Sequence, residues 1–260
     1  MGVKIGASSI WQGSTSMSGR VSYYGNIVID GLILDLDAAK QDSYPKTGNS
    51  WRDIAKGVIT GSLINSPTFD SNNGGSIVFN GTSNYVLLPQ STPNQTYGNY
   101  SFSVWFNFTT TRNSSSTSDS MIMEAQNTLL GGVDNYLYAL SNAAAAGTNG
   151  RIGFQTFNPL SVLYTTTNTW TGGQWYNITC TYDILTSTQS IYVNGVLENF
   201  TTIANCYFNT NTCFGLGAYT APPRTWFFNG KISNFMVYNK TLSAIEILQN
   251  YNAIKTRFGL

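Results

Sequence analysis

The sequence has no histidine and few charged residues. Its 260 residues include 13 Lys or Arg and 12 Asp or Glu, so 10% are charged, against roughly 25% in an average soluble domain. Without histidine the chain cannot build a Ser-His-Asp or Cys-His catalytic centre, or the zinc and iron sites that depend on imidazole. The net charge of +1 lacks the basic excess that neutralises phosphate groups. We therefore expect no nucleic-acid partner and no membrane partner.

Cysteines and long apolar stretches are also scarce. Cys180, Cys206 and Cys213 are an odd number and lack the CxxC spacing of a metal site. A disulfide between Cys206 and Cys213 would close a small loop, but cytosolic thiols stay reduced, which favours free thiols. The chain starts at Met1 and has no apolar run of signal-peptide or membrane-span length. We therefore expect a product that stays in the cytosol of the cell that makes it.

The residues that are abundant form a β pattern. Hydrophobic residues make up 42% of the chain and aromatic residues 14%. From residue 76 onward they occur in short runs between Gly, Asn, Ser and Pro clusters, which is typical of one large all-β sandwich. Tyr100 to Phe108 alternates most regularly. This alternation places Trp105 opposite the core, on a face that we expect to be open or covered by loops.

The two ends of the chain depart from this pattern. Residues 1–26 are rich in Gly and Ser and alternate poorly, so we expect an extended N-terminal arm that gains order from a partner. The sandwich domain is predicted to span residues 27–260. Ser243 and Glu246 have the spacing of a capping box, which predicts a short helix from Ala244 to Tyr251.

Six segments, in this order and spacing, resemble the laminin-G-like branch of the concanavalin A-like jelly rolls. The most specific is the last, in which a Gly-Lys-Ile strand is followed by Leu-Ser and a Glu-containing helix. The opening LDLDAAK, with the SYP and W-x-D elements after it, is similar to versions of this domain in structural proteins of tailed bacteriophages. The six segments are residues 31–54, 77–89, 100–108, 172–183, 189–197 and 226–252.

The resemblance implies an antiparallel two-sheet jelly roll with a concave face that often holds sugar. Some relatives bind a structural calcium ion through carboxylates, but this chain has amides or a hydroxyl at four of those positions, so we expect no cofactor and disfavour calcium. Asp35, Asp37 or Asp183, with backbone carbonyls, remain candidate calcium ligands, although solvated loop or cap carboxylates are the plainer interpretation. The four positions are Asn80, Asn84, Asn194 and Ser233.

The sequence argues against catalysis. Related laminarinase-type jelly rolls cleave glucans with two glutamates on one strand, because retaining hydrolysis needs two carboxyls about 5.5 Å apart. The three glutamates of this chain, Glu124, Glu198 and Glu246, are far apart in sequence. Asp35 and Asp37 share a strand face, but at a position where the resemblance implies no catalytic pair. We therefore expect a protein that is not an enzyme.

The abundant Trp, Tyr, Asn and Thr suit two kinds of binding surface. Flat aromatic rings beside amides and hydroxyls bind sugars, and the same residues form the cores of subunit interfaces. Trp105 is a glycan-binding candidate on the concave face. Trp170, Tyr219 and Trp226 are candidates for a rim built from loops, although packing within the protein is the commoner role of such residues.

Together these features favour a non-enzymatic bacteriophage virion protein, such as a decoration, fibre or tail component, that binds host or environmental glycans. Such a protein is assembled in the host cytoplasm and released by lysis. We expect a homo-oligomer that contacts other virion proteins through the N-terminal arm. The alternative is a glycan-binding or glycan-cleaving module of a bacterial cell-surface system.

Overall fold

The structure is a computed structural model that describes residues 27–89, 96–116, 119–127, 132–139, 150–157, 160–209, 212–219 and 224–260. The predicted N-terminal arm, residues 1–26, lies outside the described residues. Cys180 and Cys206 are free thiols, so the Cys206–Cys213 disulfide is not formed. Within the described ranges, no helix has the length and apolar character needed to cross a membrane.

Short strands account for about half of the described chain, and one short helix is the only α-helix in it, as the sequence predicts. Several of the turns between the strands have Gly, Asn or Ser at positions with a positive φ, such as Asn65 and Ser66 after β3 and Asn194 and Gly195 after β14. In chain order they are β1 (Leu32–Asp37), β2 (Ser50–Arg52), β3 (Thr60–Ile64), β4 (Thr68–Asp70), β5 (Ser76–Asn80), β6 (Tyr85–Leu88), β7 (Thr96–Tyr97), β8 (Tyr100–Phe108), β9 (Ser120–Asn127), β10 (Gly132–Ala139), β11 (Ile152–Phe157), β12 (Leu160–Tyr164), β13 (Trp175–Asp183), β14 (Thr188–Val193), β15 (Val196–Thr202), β16 (Phe208–Asn209), β17 (Thr212–Leu216) and β18 (Asn229–Tyr238).

The strands form two antiparallel sheets that pack face to face. Sheet I has the order β15-β14-β13-β8-β18-β5-β4, and β1 pairs with the second half of β18 beyond β5. Sheet II has the order β12-β11-β10-β9-β17-β6-β3-β2, while β7 and β16 pair separately. The predicted two-sheet antiparallel sandwich is confirmed.

Aromatic rings fill much of the space between the sheets. The predicted alternation of β8 is confirmed for its inward face, where Tyr100, Phe102, Val104, Phe106 and Phe108 are all buried. The Phe106 ring centroid lies 5.3 Å from that of Phe108, in an edge-to-face arrangement. Burying such a side chain contributes about 2–3 kcal/mol, so this row alone is a large part of the driving force for folding.

The turn between β14 and β15 shows how the sequence sets a local structure. Asn194 and Gly195 have φ values of 52° and 80°. Two positive φ values in a two-residue hairpin loop match the right-handed twist of the flanking strands, and Asn-Gly is the preferred pair for them. The hairpin brings β15 to the outer edge of sheet I.

The C-terminal helix, α1 (Ala244–Lys255), begins where the sequence predicts. The Glu246 N–H donates to Ser243 Oγ at 3.3 Å, and the Ser243 N–H donates to the Glu246 carboxylate at 2.9 Å, which completes the capping box. The helix runs one turn past the predicted end at Tyr251. It does so because Ile254 continues the buried stripe that starts at Ile247.

Helix α1 and the 3₁₀ turn that follows it cover the outer face of sheet I, which corrects the expectation for Trp105. Trp105 is fully buried. Its ring stacks on Tyr251, with ring centroids 5.5 Å apart, and on Phe258 at 4.6 Å. Phe258 also stacks on Trp175 at 4.4 Å. The apolar stripe of α1 thus covers the outer face of sheet I, which the alternation of β8 predicts to be open or covered by loops. Trp105 therefore presents no face to a sugar.

Candidate functional site

One end of the sandwich carries an open cleft of about 390 Å³. Three chain segments form it: the loop after β5, the connection between β8 and β9, and the residues that lead into β18. Backbone hydrogen bonds join these segments, since the Gly81 N–H donates to the Phe228 carbonyl oxygen and the Thr109 N–H to that of Asn229. The cleft is lined by Gly81, Thr110, Arg112, Asp119, Ser120, Trp226, Phe227 and Asn229.

Trp226 supplies the flat apolar surface of the cleft. It is 43% exposed, and its φ of 55° lies in the left-handed region, which costs a bulky residue about 1–3 kcal/mol. The Met121 N–H fixes this backbone by donating to the Trp226 carbonyl oxygen at 2.7 Å. The half-buried Tyr219 ring packs against the indole, with centroids 5.4 Å apart. The surrounding structure therefore holds the indole in one position at the cleft.

Arg112 and Asp119 bring opposite charges to the same cleft. Burial lowers the pKa of the Arg112 guanidinium, and the negative charge of Asp119 acts in the opposite direction. The guanidinium carbon also lies 5.5 Å from the centre of the Phe108 ring, a cation–π distance. The cleft thus offers a fork of N–H donors and a carboxylate acceptor beside the indole.

Trp170, a predicted rim residue, is instead a core residue that positions Arg112. It is fully buried, and its Nε1 donates to the Gly150 carbonyl oxygen at 2.7 Å. The backbones of Trp170 and Arg112 exchange two hydrogen bonds, at 2.8 and 2.9 Å. The expectation that Trp170 contacts a ligand is therefore corrected, because its side chain is fully buried.

Of the four predicted aromatic residues, Trp226 lines the cleft, and Tyr219 packs against its ring without lining the cleft. Arg112 and Asp119 are not predicted from the sequence, because residues 109–120 (TTTRNSSSTSDS) contain no apolar side chain that would indicate a structured segment. One clue was present: these two are the only charged residues in that segment.

Asp35, Asp37 and Asp183 do not come together as a calcium site. Asp35 accepts a hydrogen bond from Asn234 Nδ2 at 2.8 Å, and both oxygens of Asp37 are taken by Arg257. Burial and the charge of Asp37 raise the pKa of Asp35 to about 8, which makes it a poor cation ligand. Across sheet I, Asp37 is in register with Asn177 of β13. Asp183 lies six residues further along β13, so the distance along the strand between Asn177 and Asp183 is roughly 20 Å. Among the described residues, no three acidic or cysteine side chains could hold a metal ion.

The positions at which relatives carry Asp also serve internal hydrogen bonds here. Asn84 Oδ1 accepts from the Asn80 N–H at 3.1 Å, and Asn194 Oδ1 accepts from a backbone N–H of β13 at 2.9 Å. Ser233 Oγ donates to a backbone carbonyl oxygen at 2.7 Å. These side chains stabilise turns and strand contacts, so they do not fit the ligand set of a calcium ion.

The three glutamates lie in three different elements. Glu124 is buried in β9 of sheet II. Glu198 in β15 accepts hydrogen bonds from the N–H groups of Thr166 and Thr167. Glu246 caps α1. None of them lines the cleft, where Asp119 is the one carboxylate among the described lining residues.

A family comparison identifies the sandwich. A laminin G type model, described as the concanavalin A-like lectin/glucanases superfamily, matches residues 80–248, well over half of the chain. The chain belongs to the concanavalin A-like lectin/glucanases superfamily. No curated protein matches the sequence. The resemblance drawn from the six segments is confirmed at the level of this superfamily, while the similarity to phage proteins stays a prediction.

Solved structures with a similar fold include binding domains of botulinum neurotoxins. The binding domain of neurotoxin DC in complex with SialylT is 14% identical, with a TM-score of 0.64 over 87% of this chain and 52% of that one. The serotype D ligand binding domain in complex with N-acetylneuraminic acid is 14% identical, with a TM-score of 0.64 over 86% and 51%. The type G receptor binding domain is 15% identical, with a TM-score of 0.59 over 86% and 51%. This superfamily member spans about half of those structures, and at such identities the likeness establishes the fold alone.

Proposed function

We propose that this member of the superfamily binds glycans in the cleft around Trp226 and does not cleave them. The observation that carries the proposal is the exposed indole of Trp226, which Tyr219 and a backbone hydrogen bond hold in place. A sugar ring has apolar C–H faces and a rim of hydroxyls, so it binds where a flat aromatic ring lies beside donors and acceptors. Arg112, Asp119 and Asn229 supply these groups.

The size of the cleft supports a short saccharide as the ligand. Its volume of about 390 Å³ falls within the range of about 300–1,000 Å³ that is usual for small-molecule sites. The charges of Arg112 and Asp119 oppose one another, which suits a ligand whose binding groups are mostly neutral hydroxyls.

The carboxylates that line the cleft are too few for glycan cleavage. Glycoside hydrolysis uses two carboxyl groups on either side of the scissile bond. Among the described residues that line the cleft, Asp119 is the one carboxylate, and it lies beside the guanidinium of Arg112. A single acceptor of this kind can hold a hydroxyl, but it cannot serve as both acid and base.

The binding assay compares the wild type with Trp226→Ala on a glycan array, followed by calorimetry on each hit. We expect a loss of affinity of at least about fivefold in Trp226→Ala, on the scale of the about 1–3 kcal/mol that stacking of a base on one aromatic residue contributes. Tyr207→Ala is the matched control, because Tyr207 is an exposed aromatic residue outside the cleft. An array without wild-type hits, or equal affinity in Trp226→Ala, contradicts the proposal.

The same proposal places the protein on a bacteriophage virion, as a decoration, fibre or tail component. Two features of the sequence support this location. The LDLDAAK segment, with the SYP and W-x-D elements after it, is similar to structural proteins of tailed bacteriophages, and the composition is rich in neutral polar residues. The partners are other virion proteins, contacted through residues 1–26, and the location is the released particle. A glycan-binding module of a bacterial cell-surface system would use the cleft in the same way, so the particle itself must be tested.

Electron microscopy of particles labelled with an antibody against this chain tests the location. Labelling at a regular position on the particle supports the virion role, and label found only on the bacterial surface supports the alternative. A chain that lacks residues 1–26 should fold and remain absent from particles. Normal incorporation of that chain contradicts the role of the arm.

A further inference from the structure

The cleft around Trp226 contains one positive and one negative side chain, those of Arg112 and Asp119. The other described residues that line it are uncharged, namely Gly81, Thr110, Ser120, Trp226, Phe227 and Asn229. Arg224, two residues before Trp226, lies over the Tyr85 ring and is not among the lining residues. The charge of Asp119 therefore determines whether the wall of the cleft is neutral or positive.

Two different parts of the sandwich hold these two residues at the cleft. The backbone of Arg112 exchanges two hydrogen bonds with that of Trp170, which is a buried core residue. Asp119 lies two residues before Met121, whose N–H donates to the Trp226 carbonyl oxygen at 2.7 Å. Each charge is thus held by its own backbone contacts, so a substitution at one leaves the backbone of the other in place.

The carboxylate of Asp119 offsets a guanidinium that is partly removed from water. Burial lowers the pKa of Arg112, and the negative charge of Asp119 raises it, so the two groups interact electrostatically. The Phe108 ring, 5.5 Å from the guanidinium carbon, also attracts the guanidinium but carries no charge. Without Asp119, no acidic side chain among the described lining residues would oppose the positive charge. A guanidinium in that state binds carboxylates through two parallel hydrogen bonds.

We propose that Asp119 determines the specificity of the cleft, so that the cleft binds neutral sugars and excludes sugars that carry a carboxylate. This inference rests on the proposed glycan function and names the class of glycan. The carboxylate of an acidic sugar stacked on Trp226 meets the like charge of Asp119, and this repulsion opposes binding. A neutral sugar meets no like charge, and its hydroxyls can donate to Asp119 and accept from Arg112.

The small size of the cleft makes this repulsion effective. A sphere with the cleft volume of about 390 Å³ is roughly 9 Å across, close to the Debye length of about 8–10 Å in physiological salt. A charged group on a bound sugar therefore lies within the reach of both Arg112 and Asp119. Because the guanidinium is partly buried, salt screens these interactions less than it screens those of an open surface.

A glycan array that carries neutral disaccharides beside their uronic acid forms tests this specificity, with cellobiose and cellobiouronic acid as one such pair. Asp119→Asn keeps the size of the side chain and an acceptor oxygen but removes the charge. We expect it to shift the ratio of acidic to neutral affinity at least about tenfold toward the acidic member. Arg112→Gln, added to Asp119→Asn, should abolish this gain. Asp30→Asn is the matched control, because it removes the same charge from a side chain that is 83% exposed and outside the cleft.

The outcomes separate the specificity from the glycan function. Wild-type hits that include acidic members as strongly as their neutral partners overturn the inference and leave the glycan function standing. An unchanged ratio in Asp119→Asn, or an equal shift in Asp30→Asn, also overturns the inference alone. An array without any wild-type hit contradicts the glycan function and the inference with it.

Quenching of tryptophan fluorescence measures the charge of the cleft without a sugar. Of the tryptophans in the described residues, Trp226 alone is exposed, and the Trp226→Phe form of each protein gives the background. Asp119→Asn should increase quenching by iodide relative to neutral acrylamide, because iodide accumulates near an unbalanced guanidinium. Arg112→Gln should decrease it. An unchanged iodide-to-acrylamide ratio in Asp119→Asn shows that Asp119 does not balance Arg112, and it overturns the inference even where neutral glycans bind.

Discussion

Arg257 binds Asp37 through two parallel hydrogen bonds, from Nη1 to Oδ1 at 2.8 Å and from Nη2 to Oδ2 at 2.6 Å. Asp37 is the last residue of β1, and Arg257 lies in the 3₁₀ turn after α1. Asn73 Nδ2 adds a hydrogen bond to the Arg257 carbonyl oxygen at 2.9 Å. These contacts fasten the C-terminal segment to the first strand of sheet I, so the cover over the outer face depends on them.

Replacing Arg257 with Met leaves a buried carboxylate without its counter-charge. The Asp37 side chain is 5% exposed, so we expect the free energy of unfolding in urea to fall by about 3 kcal/mol. Asp30→Ala is the control, because the Asp30 side chain is 83% exposed and its bridge to Lys240 is worth at most about 1 kcal/mol. Equal losses in the two variants would show that Arg257 acts only as a surface ion pair.

Phe258→Ala should loosen the end of the chain. The Phe258 ring lies between those of Trp105 and Trp175, at 4.6 and 4.4 Å, but it is only partly buried. We expect a loss of about 2–3 kcal/mol in unfolding free energy, together with a red shift of tryptophan emission as water reaches the two indoles. Leu260→Ala, which removes a half-exposed side chain two residues later, should change stability by less than about 0.5 kcal/mol. An unshifted emission spectrum in Phe258→Ala would show that the helix covers Trp105 without this ring.

Raising the pH should destabilise the protein through Asp35. Burial and the charge of Asp37 raise the pKa of Asp35 to about 8, whereas an unfolded Asp titrates near about 4. Between these values folding takes up a proton, so the free energy of unfolding falls as the pH rises, by up to about 1.4 kcal/mol per pH unit. Below pH 4 this contribution is fully present, and above pH 8 it is lost.

Urea unfolding at a series of pH values checks this. Asp35→Asn should remove the slope between pH 4 and 8, and its amide can donate toward Asn234 Oδ1, which is buried without a hydrogen-bond partner among the described residues. Asp70→Asn should keep the slope, because the hydrogen bond from Lys231 lowers the pKa of Asp70 and its contribution is lost only as the pH falls. A slope that survives in Asp35→Asn belongs to another group.

The backbone strain at Trp226 can be measured by comparing two substitutions. Trp226→Gly and Trp226→Ala both remove the indole and its packing on Tyr219, but only glycine adopts a φ of 55° without strain. We expect Trp226→Gly to be more stable than Trp226→Ala by about 1–2 kcal/mol in thermal unfolding. Equal stability would indicate that the loop relaxes once the indole is gone, and that the strain is not imposed by the neighbouring strands.

The sequence predicts the inward face of the fold better than the outward face. Alternation on β8 identifies which residues enter the core, because a half-buried strand must place its apolar side chains on one side. It does not identify what covers Trp105, because that cover is a helix about 140 residues later in the chain. The capping box predicts where α1 starts, but its end depends on Ile254 meeting sheet I, a contact that local sequence does not encode.

The candidate site, like the fold, is predicted from the sequence only in part. Residue type selects Trp226 and Tyr219, but the same reasoning also selects Trp105 and Trp170, which are fully buried. Arg112 and Asp119 are missed because their loop is shaped by backbone bonds to distant segments, as between Thr109 and Asn229. From sequence alone, a polar loop of this kind is predicted to be unstructured, because the strands that hold it in place are distant in the chain.

The position of β18 in sheet I determines when the sheet can be completed during synthesis. This strand, which ends at Tyr238, lies in the middle of sheet I and pairs with β8, β5 and β1. The ribosome must therefore release the chain through Tyr238 before sheet I can be completed, and until then the earlier strands have unpaired edges. A nonsense mutation before residue 229 would leave sheet I in three separate pieces, namely β15-β14-β13-β8, β5-β4 and β1, and such products are expected to be degraded or to aggregate.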